Sequence, residues 1–160
     1  MIYGWERGII LEDLKYVIYV GASPEKTWQS FISPEGTRAV LHGCVLRSTF
    51  EVGARYEYVG PGKGGPETVH VYGEVLAFEP YRLMSYTEHA GPVYRDNHSE
   101  LRTRITMTLE PMGDCTKLTL VNDEWPEGHP SYESSRINWP VTLSNFKTFI
   151  ETGKPLNFGW

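Results

Sequence analysis

The sequence predicts an α+β protein in which one long helix covers a curved, multistranded antiparallel sheet. From Phe50 to Glu124, segment after segment alternates apolar and polar residues with a period of two, as half-buried strands do. Farther on, steps of four, three and four residues place Trp139, Leu143, Phe146 and Ile150 on one face of a helix. Because a helix with its side chains is only about 10–12 Å across, a single helix over so wide a sheet favours an apolar hollow between them.

The elements before the long helix follow from local signals. A first strand is predicted over 14–20. Two copies of one helix-start signal come next, Ser23-Pro24-Glu25 and Ser33-Pro34-Glu35, each with an N-cap serine, a proline at the first helical position and an acid in the first turn. They predict short helices over 24–32 and 34–40. Six strands are then expected near 44–50, 54–59, 68–78, 81–90, 101–110 and 115–124, with turn residues between them.

The last helix is predicted over 139–151. Proline lacks the N–H that a helix interior uses, so Pro140 predicts a start or a kink near 136–140. The order of elements is therefore strand, two helices, six strands and helix. Without a repeat, a low-complexity linker or a break in composition, one domain is expected over 1–160, with its core at about 13–153.

Composition and charge exclude several classes of function. Fifteen basic residues against twenty acidic ones give a net charge of −5 and no basic run, which argues against nucleic acid as a partner. The region from Met1 to Glu12 lacks the pattern of an export signal, and no apolar run is long enough to span a membrane, so a cytoplasmic protein is predicted. Cys44 and Cys115 stand far apart and the histidines show no ligand spacing, so neither a metal nor a cofactor is expected.

Parity along the strands predicts which side chains face the helix. In the 101–110 segment Ile105, Met107 and Leu109 share one face. By the same rule Asn122 and Glu124 end the otherwise apolar stripe of the following strand. Because an unpartnered buried polar group costs roughly 1–3 kcal/mol, these two residues must find partners, reach solvent at the mouth of the hollow, or touch a ligand.

The aromatic residues predict the walls of the hollow, although a simply packed core is the alternative. Asn122 and Glu124 are expected near its opening. The predicted walls consist of Trp28, Phe31, Tyr56, Tyr58, Tyr72, Met107, Leu120, Trp139, Leu143 and Phe146.

No catalytic residue is assigned. Neither a nucleophile elbow nor a cysteine in a recognisable nucleophile context is present. What remains for chemistry is Asp123-Glu124 near His129, and Glu88-His89, either of which could do acid–base work if a pocket raised a carboxyl pKa.

Several short motifs, together with the order of elements, give the chain a family resemblance. It resembles the heat-shock-protein-90 ATPase activator homologue family, small proteins of the SRPBCC superfamily that includes the START and birch-pollen-allergen proteins. The resemblance implies the helix-grip fold, β-α-α-β6-α, and a deep cavity for lipid-like, polyketide-like or other small apolar ligands, with no fixed chemistry. The motifs are Ala22-Ser23-Pro24-Glu25-Lys26-Thr27-Trp28, Pro34-Glu35, Gly73-Glu74-Val75, Phe78-Glu79-Pro80, Thr116-Lys117-Leu118-Thr119-Leu120, and Trp139 with Leu143, Phe146, Lys147 and Glu151-Thr152-Gly153.

The function predicted from the sequence is the binding of a small hydrophobic or aromatic molecule between sheet and helix, without catalysis. One alternative is a cyclase- or hydrolase-like enzyme for an aromatic substrate, which needs Glu124, His42 or His129 to point into the cavity with a perturbed pKa. The other is a co-chaperone-like interaction module that uses the outer face of the sheet, although no protein partner is indicated by the residues themselves.

Overall fold

The computed structural model describes residues 10–159. In this part of the chain seven strands form one antiparallel sheet in the order β1-β7-β6-β5-β4-β3-β2. The predicted α+β helix-grip architecture is confirmed, whereas residues 1 and 160, the limits of the predicted domain, lie outside the described residues. The elements are β1 (Leu14–Val20), α1 (Pro24–Ile32), α2 (Pro34–Val40), β2 (Val45–Ser48), β3 (Arg55–Gly62), β4 (Gly65–Glu79), β5 (Leu83–Ala90), β6 (Thr103–Met112), β7 (Cys115–Asp123) and α3 (Tyr132–Thr152).

Both short helices begin as their serine and proline signals predict. The Ser23 hydroxyl accepts the Lys26 N–H at 3.2 Å, and the Ser33 hydroxyl accepts the Gly36 N–H at 3.4 Å. These bonds satisfy amides that have no partner within the helix. A Cβ at Gly36 would come within 2.0 Å of the Ser30 carbonyl oxygen, so only glycine allows α2 to follow α1 this closely.

The long helix runs without interruption from Tyr132 to Thr152, and Pro140 lies inside it. The predicted start near 136–140 is therefore wrong, while the alternative of a kink there stays a prediction. At its other end the helix stops at Gly153, whose φ of 80° is the left-handed conformation common at helix ends. The last two turns of α3 bury Leu143, Phe146 and Ile150, as the spacing predicts.

One hydrophobic core lies between the sheet, α1 and the second half of α3. Alternate residues of β6 and β7 face it, as parity predicts, with Ile105 and Leu118 fully buried. Phe31 of α1 stacks on Phe146 of α3, with 4.0 Å between ring centroids. The helix packs mainly against β1, α1 and α2.

Candidate functional site

Three adjoining cavities of about 240, 170 and 300 Å³ lie against the inner face of β3, β4 and β5, and the first half of α3 forms part of the walls of the second and third. Val71 and Glu88 belong to the walls of all three, and we call these cavities together the hollow. The other lining residues are Leu41, His42, Cys44, Tyr58, His70, Ala90, Leu101, Thr103, Trp125, His129, Ser131, Ser134, Ser135, Asn138, Trp139 and Thr142.

Strand register brings Glu88 to the hollow. Val71 on β4 pairs with Tyr58 on β3 and with Ala90 on β5, and directly paired residues share a face of a sheet. Alternation along β5 then places Met84, Tyr86 and Glu88 on the same inner face as Ala90. The stripe runs from the core, where Met84 is buried, outward to the carboxyl group in the hollow.

The helix supplies the opposite wall. Ser134, Ser135, Asn138, Trp139 and Thr142 recur at the spacing of one helical face. Most of these side chains are polar, in contrast to the apolar residues that the same helix buries one turn later. The hollow thus has an apolar floor of strand residues and a more polar roof.

Burial raises the pKa of the Glu88 carboxyl to about 7. Desolvation is the cause, because taking a carboxylate out of water disfavours its charged form. Among the hydrogen bonds and ion pairs of residues 10–159, none involves the Glu88 carboxyl group. A carboxyl group in a pocket with a pKa near neutral pH is the kind of group that either binds a ligand atom or transfers a proton.

Tyrosine hydroxyls surround the inner end of this site. Burial raises the pKa of Tyr58 to about 12, and the Tyr58 and Tyr86 hydroxyls share a hydrogen bond. Desolvation also holds the pKa of Tyr86 well above its usual value. Deeper in the core, the Tyr56 hydroxyl donates to the Thr87 carbonyl at 2.7 Å, so its phenol is already satisfied.

Histidines line the outer edges of the hollow. Both ring nitrogens of His70 are engaged, Nε2 with the Pro61 carbonyl and Nδ1 with the Tyr94 hydroxyl, each at 3.0 Å. Burial lowers the pKa of His129, whose Nδ1 accepts the Ser131 amide at 3.1 Å. His42 is exposed at the rim. His42 and His129 thus line the hollow, and of these two only His129 has the perturbed pKa that the enzyme alternative also requires.

The predicted position of Glu124 at the opening is wrong. Its side chain is 43% exposed and lies near the Arg104 and Arg102 guanidinium groups, with N–O distances of 3.4 and 3.9 Å. The strand ends at Asp123, and Glu124 has a φ of 56°. Alternation cannot be extended through a residue in the left-handed region, so the parity argument fails at this residue.

Tyr72 also lies away from the hollow. Its strand neighbours Val71 and Gly73 pair with the inward residues of β3, so Tyr72 faces the other side of the sheet. There its ring stacks on His89 with 4.9 Å between centroids, and the Arg55 guanidinium lies 4.4 Å from the ring centre. The tyrosine was assigned to the hollow by residue type, whereas its register excludes it.

Asn122 finds protein partners instead of reaching the opening. It is fully buried, its Nδ2 donates to the Arg104 carbonyl at 3.0 Å, and its Oδ1 accepts the Trp139 indole N–H at 3.1 Å. The Asn122 carbonyl accepts the Trp125 indole N–H at 2.9 Å. Asn122 therefore holds two tryptophans that line the hollow, although Asn122 itself is not part of the wall.

The remaining predicted wall residues divide into two groups. Tyr58 and Trp139 line the hollow. The others are buried core residues, which is the alternative that the aromatic pattern left open: Trp28, Phe31, Tyr56, Met107, Leu120, Leu143 and Phe146.

The predicted walls lack Val71, Glu88 and the polar face of α3, although the sequence names Glu88 with His89 as a candidate for acid–base work. Glu88 could have been placed by parity, because Met84, Tyr86 and Glu88 repeat the pattern that drew attention to Asn122. The serines of α3 carried no comparable signal, since the helix was predicted to begin after them.

A larger groove of about 680 Å³ lies elsewhere, between α1, α2 and the end of α3. Charged and polar side chains such as Lys26, Glu35 and Glu151 line it. Glu151 is already bound to Lys147 and to the Gly21 amide, the latter at 2.9 Å. Lys26 and Glu35 are exposed, so this groove lacks the partly buried, unpartnered carboxyl group that marks the hollow.

Within residues 10–159, no group of three or more histidine, cysteine, aspartate or glutamate side chains could hold a metal ion. No helix in this part of the chain is long and apolar enough to cross a membrane.

Comparison with known proteins identifies a family that the chain matches. The family described as "Activator of Hsp90 ATPase homolog 1-like protein" matches residues 21–151. A search of curated protein sequences finds no match.

Solved structures share the fold at low sequence identity. A protein from Mesorhizobium loti is 23% identical with a TM-score of 0.69, over 87% of this chain and 96% of that one. The Aha1 dimer from Colwellia psychrerythraea is 20% identical with a TM-score of 0.68, over 90% and 99%. DynU16, a protein of the dynemicin biosynthetic locus, is 17% identical with a TM-score of 0.69, over 94% of this chain and 51% of that one.

Proposed function

The chain belongs to the Activator of Hsp90 ATPase homolog 1-like protein family, and from this premise we propose that it binds a small hydrophobic or aromatic molecule, lipid-like or polyketide-like, in the hollow. The observation that carries the proposal is the gap between the first half of α3 and the sheet. Small-molecule sites are usually concave, mostly apolar and equipped with a few polar groups, within about 300–1,000 Å³. The hollow, with Val71, Tyr58 and Trp139 beside one carboxyl group, has this character.

One structural relative supports the proposal by its origin. DynU16 is a protein of the dynemicin biosynthetic locus. At 17% identity it shares the fold, and the proposal takes from it only the suggestion that this fold serves small-molecule metabolism. The cytoplasmic location and the single domain over 1–160 predicted from the sequence stay predictions.

A hydrophobic fluorescent probe tests the proposal directly. N-phenyl-1-naphthylamine should bind with enhanced fluorescence, and Val71→Trp should weaken binding about tenfold or more because the larger side chain fills space shared by all three cavities. Thr142→Trp does the same from the helix side. Val17→Trp, at a position 41% exposed on β1, is the matched control and should leave binding unchanged.

The outcome that contradicts the proposal is equally concrete. If folded Val71→Trp and Thr142→Trp proteins, checked by circular dichroism, bind the probe as the unmodified chain does, the hollow is not the binding site. Native mass spectrometry of protein purified from its own host then asks whether a small molecule is retained.

An enzyme acting on an aromatic substrate is the second candidate function. The position of Glu88 in the hollow favours it, whereas Glu124 lies outside the hollow. Its carboxyl, with a pKa of about 7, shares a cavity with His129. A carboxyl titrating near neutral pH suits general acid–base catalysis, which typically contributes 10²–10⁴-fold to rate. For such an enzyme Glu88→Gln would abolish turnover while preserving substrate binding, whereas a binding protein has no turnover to lose.

The co-chaperone-like alternative stays a prediction. The outer face of the edge strand β1 exposes Val17 and Tyr19, and the family is named for activation of the Hsp90 ATPase. Stimulation of an Hsp90 ATPase that Val17→Glu and Tyr19→Glu abolish, while probe binding in the hollow persists, would favour this function.

A further inference from the structure

Glu88 presents a carboxyl group to the hollow, and no basic side chain within residues 10–159 forms an ion pair with it. Several acids elsewhere on the sheet have basic partners: Glu57 accepts from Arg55 at 2.7 Å, and Asp123 accepts from Arg104 at 2.6 Å. The described ion pairs and hydrogen bonds give the Glu88 carboxylate no such partner. An unpaired buried charge is unfavourable, so a cation brought by a ligand would gain an ion pair that the free protein lacks.

The groups that share the cavities with Glu88 do not supply a fixed positive charge. From β3 comes the Tyr58 hydroxyl, which is hydrogen-bonded to Tyr86 of β5, a residue outside the walls of the hollow. His70 from β4 has both ring nitrogens engaged. The remaining titratable residues around the hollow are His42 and Cys44 before β2, and His129 before α3. Among the described lining residues there is no lysine or arginine, and the guanidinium of Arg95 lies behind the wall, 3.5 Å from the hydroxyl of the lining Ser131.

Aromatic rings stand close to the same carboxyl group. Tyr58, Trp125 and Trp139 each line a cavity that Glu88 also lines. The faces of tyrosine and tryptophan rings attract organic cations, with an energy that grows when water is excluded. The tryptophan indole N–H groups are both bound to Asn122, which holds the two rings in place.

We propose that the hollow takes a lipophilic amine, an apolar or aromatic body with one basic nitrogen, whose ammonium group pairs with the Glu88 carboxylate. The inference rests on the proposed function and names the class of its ligand. A carbonyl ligand would require Glu88 to donate a proton, but the hydrogen-bonded pair of Tyr58 and Tyr86 hydroxyls already leaves one neutral O–H donor nearby. The net charge of −5 adds a long-range attraction for cations.

A matched pair of probes tests the charge alone. 1-Naphthylmethylamine and 1-naphthalenemethanol share a ring system and differ in whether the substituent is an ammonium or a neutral hydroxyl. By titration calorimetry at about pH 8 the amine should bind about tenfold tighter than the alcohol. Because the amine stays protonated while Glu88 titrates, this preference should shrink as pH falls through about 7, where the carboxylate takes up a proton.

Variants separate Glu88 from general surface charge. Glu88→Gln should bring the two probes to equal affinity and change the affinity for the alcohol by less than about threefold. Glu124→Gln, an acid that lies 43% exposed beside two arginines, should retain the preference for the amine.

Each contrary result has a distinct meaning. Equal affinities at about pH 8, or a preference for the amine that survives in Glu88→Gln, overturn the proposal of an amine ligand while leaving a binding hollow intact. Tighter binding of the ketone 1-acetonaphthone, strengthening toward low pH, overturns it in favour of a carbonyl ligand and a protonated Glu88. If no naphthalene probe binds, the proposed function fails and this inference with it. If Glu88→Gln does not fold, the pH dependence of the preference for the amine in the unmodified chain still tests the proposal.

Discussion

The hydroxyl of Tyr16 on β1 donates a 3.1 Å hydrogen bond to the backbone carbonyl of Arg136 in α3. In a regular helix that carbonyl accepts the amide four residues later, but here that residue is Pro140, which has no N–H. The tyrosine therefore binds the acceptor that the proline leaves free. This contact explains how the helix continues through Pro140 instead of starting beside it.

Replacing Tyr16 with phenylalanine should lower the free energy of unfolding by about 0.5–1.5 kcal/mol, because the Arg136 carbonyl loses its partner. In a Pro140→Ala background the new amide can donate to the same carbonyl, so the cost of Tyr16→Phe should fall toward zero. Urea denaturation of the four proteins measures this coupling. Tyr19→Phe, at a position 53% exposed on the same strand, is the control.

Equal costs of Tyr16→Phe with and without Pro140 would show that the hydroxyl does not compensate for the proline. The bond would then be an ordinary contact between strand and helix.

Asn122 and Trp139 form a second pair in which one side chain satisfies a polar group of the other. Replacing the fully buried Asn122 with leucine removes the acceptor of the Trp139 indole N–H and the donor to the Arg104 carbonyl. We expect a loss of about 1–3 kcal/mol in the free energy of unfolding, because both groups remain partly buried without partners. Adding Trp139→Phe should recover part of this loss, whereas a full additive loss in the double variant would exclude coupling of the two side chains.

Much of the fold could be predicted because its signals are local. The bounds of β1, α1 and α2 agree with the structure, since proline, serine and strand alternation act within a few residues. The start of α3 could not be predicted in the same way. Tyr16, which compensates for Pro140, lies far from it in sequence, and no periodicity reports such a contact.

The candidate site was less predictable because it depends on where α3 stands away from the sheet and leaves a gap. Parity placed Tyr58 on the correct face, but aromatic residue type alone did not separate the core residue Phe146 from the hollow residue Trp139. The positive φ of Glu124 ends the alternation that would otherwise place its side chain on the inner face. Glu88 lay within reach of the same parity rule.

Phe146 should now matter for folding and not for ligand binding. Its ring stacks on Phe31 at 4.0 Å in a buried site, and Phe146→Ala should reduce the free energy of unfolding by about 3–5 kcal/mol. Thr142→Ala, one turn earlier and facing the hollow, should cost far less. Both values come from urea denaturation, with probe affinity measured under native conditions. A Phe146→Ala protein that keeps its stability but loses the probe would return this residue to the ligand site.

The unpaired carboxyl of Glu88 should make stability depend on pH. Its pKa in the folded protein is about 7, above the ordinary value of 4.5, so between these pH values the native state holds a proton that the unfolded chain releases. Stability contributed by the protonated group is therefore lost as pH rises through this window.

Glu88→Gln should remove that loss, because glutamine stays neutral at every pH. At about pH 8 the variant should exceed the unmodified protein by about 1–3 kcal/mol in the free energy of unfolding, less than full burial would give since the side chain is only partly buried. Near pH 4.5 the two proteins should be equally stable. Glu124→Gln, which removes a surface ion pair, should change stability by less than about 1 kcal/mol at either pH. A difference between Glu88→Gln and the unmodified protein that is the same at both pH values would mean that Glu88 does not carry a raised pKa, and that its carboxylate is solvated in the hollow.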